Sequence, residues 1–388
     1  MDIAANRTRL EAWLVLLRAP GLGPATLREL LADAGDAPGA LAAARRGSYE
    51  RTREAACRDW LRAPDAALVE ADLAWLAQPR HALLACDEAD FPALLDDTAT
   101  PPAALFVAGA SDALWRPQVA IVGSRSASQG GHANATAFAR ALAVAGFAIT
   151  SGLAEGIDGA AHAAALDAGG ATIAVLGTGA DLVYPPRHRD LAARIVDNGG
   201  ALVSEFPLGT PPHPTHFPRR NRIIAGLALG ALVVEAGLRS GSLLTARQAA
   251  EAGREVFAIP GSIHNPLARG CHQLIRTGAK LVETAEEIVA ELAPLALRLG
   301  ASLRERLHGP EAAGLPERSP STASSRAGDP DYARLYAALG HDALGIDALA
   351  ERSGLPVAAL SSMLLMLELE GEVVAERGGY ARRAGPAA

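Results

Sequence analysis

The stretch Val119-Ala120-Ile121-Val122-Gly123-Ser124-Arg125-Ser126 joins a short apolar run to a glycine-led polar turn, and a helix-like stretch follows over Ala133–Ala145. A brief run rich in β-branched residues that stops at glycine reads as a buried strand. The cycle recurs: Phe147–Thr150, Thr172–Leu176, Ala201–Ser204, Ala231–Glu235 and Val256–Ile259 read as buried strands. Helix-like segments lie between them near 156–168, 187–198, 219–228 and 242–252. Strands alternating with helices predict an α/β fold with a doubly wound parallel sheet covered on both faces. Right-handed crossovers then bring every strand-to-helix turn to one edge of the sheet. The polar residues collect at that edge.

Gly123 lets the backbone approach a ligand, the free amides and hydroxyls of Ser124 and Ser126 can hold an anion, and Arg125 adds charge. The dinucleotide pattern G-x-G-x-x-G is absent, because Arg125 stands where the second glycine belongs, and this counts against an oxidoreductase using NAD or FAD. The next turn, Ser151-Gly152-Leu153-Ala154-Glu155-Gly156-Ile157-Asp158, is again small and polar. Strand three ends in Gly177-Thr178-Gly179 and strand four in Ser204-Glu205. The densest cationic feature is Phe217-Pro218-Arg219-Arg220-Asn221-Arg222, with three arginines in four residues at a helix start. The helix dipole and unpaired amides there already favour an anion. On that helix Arg219 and Arg222 share a face while Arg220 points elsewhere. A further glycine–serine turn, Gly237-Leu238-Arg239-Ser240-Gly241-Ser242, opens another helix. Phosphate cradles repeated along one edge suit a polynucleotide better than a single nucleotide.

The flanks differ. Leu10, Trp13, Leu14 and Leu17 follow helical spacing, Pro20-Gly21-Leu22-Gly23-Pro24 breaks it, and a second helix runs from about Ala25 to Ala34. Helix, Gly-Leu-Gly turn and helix form a helix-hairpin-helix layout, although a small helical domain with a glycine turn accounts for it as well. Residues 309–330 hold four prolines and three glycines without apolar periodicity, which reads as linker. Helices over Tyr332–Leu339, Ile346–Ser353 and Pro356–Glu370 precede two strands, a winged-helix-like layout. The third of these helices has no basic residue through Glu368, so groove binding is disfavoured and a packing or protein-interaction role preferred. The expected domains are a helical one (1–83, SAM-like or helix-hairpin-helix), the sheet domain (84–295), a linker (296–330) and the winged-helix-like domain (331–388).

The chain has 388 residues, of which 49% are hydrophobic and 20% charged, so it is an ordinary globular composition with a substantial core. Its net charge of −7 speaks against a protein that coats DNA. That total hides an asymmetry: 12 basic and 17 acidic residues over 1–118, 14 and 13 over 119–290, 10 and 13 over 291–388. Lys280 is the only lysine among 36 basic residues; the arginines supply planar, bidentate donors suited to phosphate. Cys57, Cys86 and Cys271 are scattered, which makes neither a disulfide framework nor a metal site and fits a reducing cytosol. No apolar run is long enough to cross a membrane, and the N-terminus has no signal-peptide pattern.

The order and spacing of these motifs resemble the DNA-processing protein A family (DprA, also called Smf). The resemblance rests on Val119–Arg125, Thr150–Asp158 with Ala161-His162, Gly170–Gly177, Tyr184-Pro185 and Ser204–Pro207. It continues through Phe217–Leu227, Val234-Glu235-Ala236, Ser240–Ala246, Pro260-Gly261 and Leu274-Ile275 with Gly278-Ala279, covering about 92–283. It implies an extended Rossmann-like sheet domain in a cytoplasmic, non-enzymatic protein of natural transformation. Such a protein binds and protects single-stranded DNA, loads the RecA recombinase onto it and forms homodimers through the Rossmann-like domain. It also implies no cofactor or metal. The expected DNA-binding residues are Gly123, Ser124, Arg125, Ser151, Gly152, Arg219, Arg220, Asn221, Arg222, Gly241 and Ser242, with Arg187 or Arg189 after the Tyr-Pro motif.

Two rivals remain at this level. A Rossmann-like nucleotide phosphoribohydrolase would need Pro-Gly-Gly-x-Gly-Thr and a catalytic Glu. Glu235–Ser242 departs from that pattern, and Glu205 or Glu235 serve more simply as hydrogen-bonding braces. An architectural module acting through its acidic flanks is the other. Phe206, Phe217 and Tyr184 are candidates for base stacking or for core.

Overall fold

The computed structural model describes residues 3–308, 330–339 and 344–355, and beyond them Leu360, Met363, Leu364, Leu367, 373–376 and 379–382. It divides into two units, residues 1–307 and 308–388. The first opens with helices α1 (Ile3–Arg18), α2 (Pro24–Ala34), α3 (Ala37–Arg45), α4 (Glu50–Arg53), α5 (Ala55–Arg62) and α6 (Ala66–Leu76). Pro24 sits in the first turn of α2, where its missing N–H has no partner to lose, and Gly35 ends that helix in the left-handed region. Asp36 and Asp65 cap α3 and α6 by accepting from Gly39 N and Ala67 N. Trp13, Leu14 and Leu16 are fully buried.

Strands β1 (His81–Ala85) and β2 (Ala104–Gly109) flank a short α7 (Ala93–Asp96). The alternating part follows: β3 (Gln118–Val122), α8 (Gln129–Val144), β4 (Ala148–Ser151), α9 (Ile157–Asp167), β5 (Thr172–Val175), α10 (Arg189–Asp197) and β6 (Ala201–Ser204). Then come α11 (His216–Leu227), β7 (Gly230–Val233), α12 (Gly241–Glu251), β8 (Glu255–Ala258), α13 (Arg269–Arg276), β9 (Lys280–Leu281) and α14 (Ala285–His308). The sheet order is β1-β2-β6-β5-β4-β3-β7-β8-β9. From β6 to β9 every pairing is parallel, as the alternation predicts; β1 and β2 add an antiparallel edge. Strand β3 lies where the winding reverses, between β4 and β7.

The period-2 geometry of β3 distributes its side chains to two cores. Val119 and Ile121 pack with Phe138 and Leu142 of α8 and Ala161 and Ala164 of α9. Ala120 and Val122 pack with Ile223, Ile224 and Leu227 of α11 and Ala246 and Ala249 of α12. A strand buried on both sides has no polar face, which explains its continuous apolar run.

The N-terminal helices do not end in a separate core. Leu83, Ala85 and Phe106 of β1 and β2 share one cluster with Trp13, Leu30 and Leu61. A boundary after residue 83 would therefore cut β1. Arg18 reinforces the junction: its guanidinium pairs with the buried Asp72 at 2.6 Å and donates to Leu208 O at 2.9 Å. At the other end, α14 runs through the first part of the segment expected to be linker, as far as His308. Residues 309–329 and most of the expected third C-terminal helix lie outside the described residues.

The C-terminal unit contains α15 (Pro330–Ala338), α16 (Ile346–Ser353) and a hairpin of β10 (Val373–Glu376) with β11 (Gly379–Arg382). Leu335, Leu349, Leu360, Leu364 and Leu367 are buried in its core. Their 360, 364, 367 spacing is that of one helix face.

Buried His162 of α9 gives the first unit an acid-sensitive point. Thr172 Oγ1 donates to Ile149 O at 2.6 Å, so it can only accept from His162 Nδ1, 2.7 Å away. Nε2 is then a bare acceptor, buried without a partner. Burial, with His188 and Arg220 nearby, lowers the ring from its ordinary 6.5 to about 3. Below about pH 6.5 the unfolded chain takes up a proton that the folded one refuses, so stability falls as pH falls through that window, by up to about 4–5 kcal/mol. Denaturation midpoints measured from about pH 7 to about pH 4 should decline in the wild type and decline less in His162→Gln. Equal declines would place the acid sensitivity in other groups.

Candidate nucleic-acid interface

At the carboxyl ends of β3 and β7 the reversed winding leaves a cleft of about 580 Å³. Its walls come from four turns that the sequence singles out. After β3, Gly123 permits close approach of α9, because a Cβ there would lie 2.5 Å from Ile157 Cγ1. Ser124 Oγ accepts from Ser126 N at 3.2 Å and Ser124 O from Ile157 N at 3.2 Å, which shapes the turn. Arg125 is exposed at the rim, its guanidinium 5.3 Å from the centroid of the Phe217 ring.

After β4, the chain turns inward. Ser151 is fully buried and its hydroxyl donates to Ile121 O at 2.6 Å. Gly152 N donates to Asp158 Oδ2 at 3.1 Å, while Gly152 O accepts from Arg220 Nη1 at 2.7 Å. One glycine residue thus separates a buried carboxylate from a buried guanidinium. Only glycine fits there, since a Cβ would meet Arg220 Nη2 at 2.5 Å.

The three arginines of α11 go three ways. Arg219 is exposed, its guanidinium 5.2 Å from the Phe206 centroid. Arg220 is only 4% exposed and donates to Gly152 O and Val175 O, tying the ends of β4 and β5 to the helix. Burial lowers its guanidinium to about 10, opposed by the attraction of Asp158, while burial raises Asp158. Arg222 pairs with Glu205, with side chains 16% and 4% exposed; burial pushes the arginine down and the carboxyl up. Ser151, Gly152, Arg220 and Arg222, all expected to bind DNA, are thus engaged within the protein. Ser151 holds Ile121 O, Gly152 joins Asp158 to Arg220, and Arg222 holds Glu205, while Arg220 also lines the cleft.

The remaining expected residues lie at or near the mouth. Asn221 lines the cleft and donates from Nδ2 to Gly241 O at 3.3 Å, joining α11 to α12. Ser240 caps α12 by accepting from Ser242 N, and its hydroxyl lies 2.6 Å from that of Ser242. Gly241 is exposed and Ser242 buried, both on the cleft wall. Arg187 pairs with Glu155, and Arg189 is exposed at the start of α10; neither lines the cleft. Tyr184 does, 42% exposed and 5.7 Å from the Phe217 ring.

Phe217 is one of three aromatics whose role the sequence left open. Arg125, Arg220 and Tyr184 all lie against its ring, the two guanidinium carbons 5.3 and 6.0 Å from its centroid. Asp158 was visible in the sequence only as an acid in a helix's first turn. Glu235 accepts from Ser128 N (2.9 Å), Ser128 Oγ (2.6 Å) and Asn265 Nδ2 (3.3 Å), a brace for the start of α8. Cys271 and His272 diverge: burial raises the thiol to about 11, and His272 Nε2 lies 2.9 Å from Gly261 O. Among the described residues no three His, Cys, Asp or Glu converge to hold a metal, and no helix is long and apolar enough to cross a membrane.

Comparison with known proteins gives a consistent result across the chain. The family model described as DNA recombination-mediator protein A matches residues 82–293. A DprA winged helix domain matches 319–379 and a DprA-like N-terminal HHH domain matches 7–62. Protein Smf of Escherichia coli is 48% identical over 315 residues, covering 81% of this chain and 80% of that protein. The X-ray structure of DNA processing protein A from Streptococcus pneumoniae is 37% identical, with TM-score 0.64 over 72% of this chain and 97% of that one. A Helicobacter pylori structure, described for the single-stranded DNA binding mode of DNA processing protein A, is 27% identical with TM-score 0.50, covering 55% and 96%.

Proposed function

The chain belongs to the DNA recombination-mediator protein A family, and on that premise we propose that it binds single-stranded DNA at the cleft between β3 and β7. The observation that carries this reading is the convergence on one cleft of Arg125, the Phe217–Pro218 start of α11 and the Ser240–Gly241 start of α12, with exposed Arg219 next along α11. Phosphates would take the arginines and the helix-start amides; bases would take the faces of Tyr184 and Phe217. None of these contacts reads a base edge, so the binding is independent of sequence.

Beyond binding, we propose that the protein acts in natural transformation, protecting incoming strands and passing them to RecA recombinase in the cytoplasm. It would do so as a homodimer joined through the sheet domain. The role is non-catalytic. Both carboxylates that a phosphoribohydrolase could use, Glu205 and Glu235, are already held by Arg222 and by Ser128 with Asn265.

Fluorescence-anisotropy titration of an unstructured oligothymidylate at several salt concentrations tests the binding step. If exposed Arg125, Arg189 and Arg219 each neutralise one phosphate, log K should fall against log salt with a slope of about −2. Duplex of equal length should bind more weakly. A slope near zero, or duplex preferred, would refute the reading. Base release from nucleoside monophosphates would revive the hydrolase.

A further inference from the structure

Beside the cleft lies a second groove of about 510 Å³, formed by the turn after β3, the turn after β7 and the start of α13. Its charged lining is Arg125, Arg239 and Arg269, with no carboxylate among the lining residues. Two other exposed arginines of this unit hold acids, Arg187 with Glu155 and Arg194 with Asp167. Arg239 and Arg269 are exposed, and neither has an ion pair or hydrogen bond among the described residues. The groove is continuous with the cleft, since Arg125 and Ser240 line both. Ser240 and Arg239 also line a third hollow, of about 650 Å³ between α12 and α13, where Arg247 adds another cation.

We propose that a single strand leaving the cleft continues over the start of α12 into this groove, where Arg239 and Arg269 each hold a backbone phosphate. The inference rests on the cleft being a DNA site and extends its footprint. Phosphodiester is the ligand that fits, because it presents negative charge at intervals along a path, and here free cations follow one path from Arg125 onward. Planar guanidinium donors match phosphate bidentately. Leu238, 55% exposed between the cations, offers an apolar contact for a base.

The full-length chain, wild type and the double variant Arg239→Ala/Arg269→Ala, should be titrated with oligothymidylates from about 4 to about 16 nucleotides. The variant is expected to bind the shortest oligonucleotides as the wild type does and the longest about tenfold more weakly. Its salt slope on long oligonucleotides should be shallower by about 1.4, two phosphates' worth. Arg239→Lys/Arg269→Lys should restore the slope, and unchanged melting of all three proteins would confirm that the fold is intact. Equal affinity and slope at every length would overturn the proposal and assign the pair to another ligand, such as an acidic protein surface. Equal weakening at every length would also overturn it, because the groove would then not be an extension. If the wild type binds no oligonucleotide at all, the cleft reading itself fails.

Discussion

Arg220→Met should destabilise the first unit by about 3–5 kcal/mol. The wild-type guanidinium is buried and donates to Gly152 O and Val175 O, two carbonyls at strand ends. Methionine fills much of the volume but donates to neither carbonyl and removes the cation whose attraction offsets burial of Asp158. The loss should depend on pH, and its sign is fixed. Without Arg220 the Asp158 carboxyl is raised still further above its unfolded value. A carboxyl with a raised folded pKa retains its contribution at low pH and loses it as pH rises. The deficit in a denaturant titration should therefore be larger at about pH 8 than at about pH 5. A deficit independent of pH would mean that the carbonyls, not Asp158, carry the effect. Phe217 should also lose its floor, so DNA affinity should fall with stability.

Arg125→Ala is expected to weaken single-stranded DNA binding by about 10- to 100-fold while leaving stability within about 0.5 kcal/mol. The dissociation of the two readouts distinguishes this residue from Arg220. Arg125 is exposed and makes no hydrogen bond or ion pair among the described residues, so its removal leaves nothing buried and unpaired. Its contact is with the Phe217 ring, a position that holds the guanidinium over the cleft rather than free in water. Lysine at this position keeps the charge but loses the planar fork and the stacking, so Arg125→Lys should recover only part of the affinity. Anisotropy at one fixed salt concentration, with melting curves for each variant, would decide the matter. Equal binding by wild type and Arg125→Ala would remove this arginine from the interface.

Much of the fold is legible along the chain because the parallel core is built from local repeats. Each strand from β3 to β7 is a short run buried on both faces, each turn begins with small residues, and each helix carries an apolar stripe. The antiparallel edge was harder to read. Residues 82–85 and 104–108 are apolar but so are the helices around them, and their partners are the N-terminal helices, distant in sequence. Periodicity cannot separate a strand that covers a helical core from another piece of that core. The same sharing of Trp13, Leu83 and Phe106 in one cluster blurs the domain boundary expected after residue 83.

The site divides in the same way. Sequence alone determined that glycine turns and an arginine-rich helix start occur on one sheet edge, since strand order and crossover handedness place all such turns together. It also determined that Arg220 departs from the face of Arg219 and Arg222, because residues one apart on a helix lie about 100° apart. Which of the three stays in water was decided only by tertiary structure. Arg220 finds its acceptors 68 and 45 residues away along the chain, and Arg222 finds Glu205 17 residues away. A guanidinium enters the interior only where such partners already wait, since burying it unpaired is too costly. The sequence determined that cations would gather at this edge. The packing of α11 on β4 and β5 decided which are spent inside and left Arg125 and Arg219 facing out.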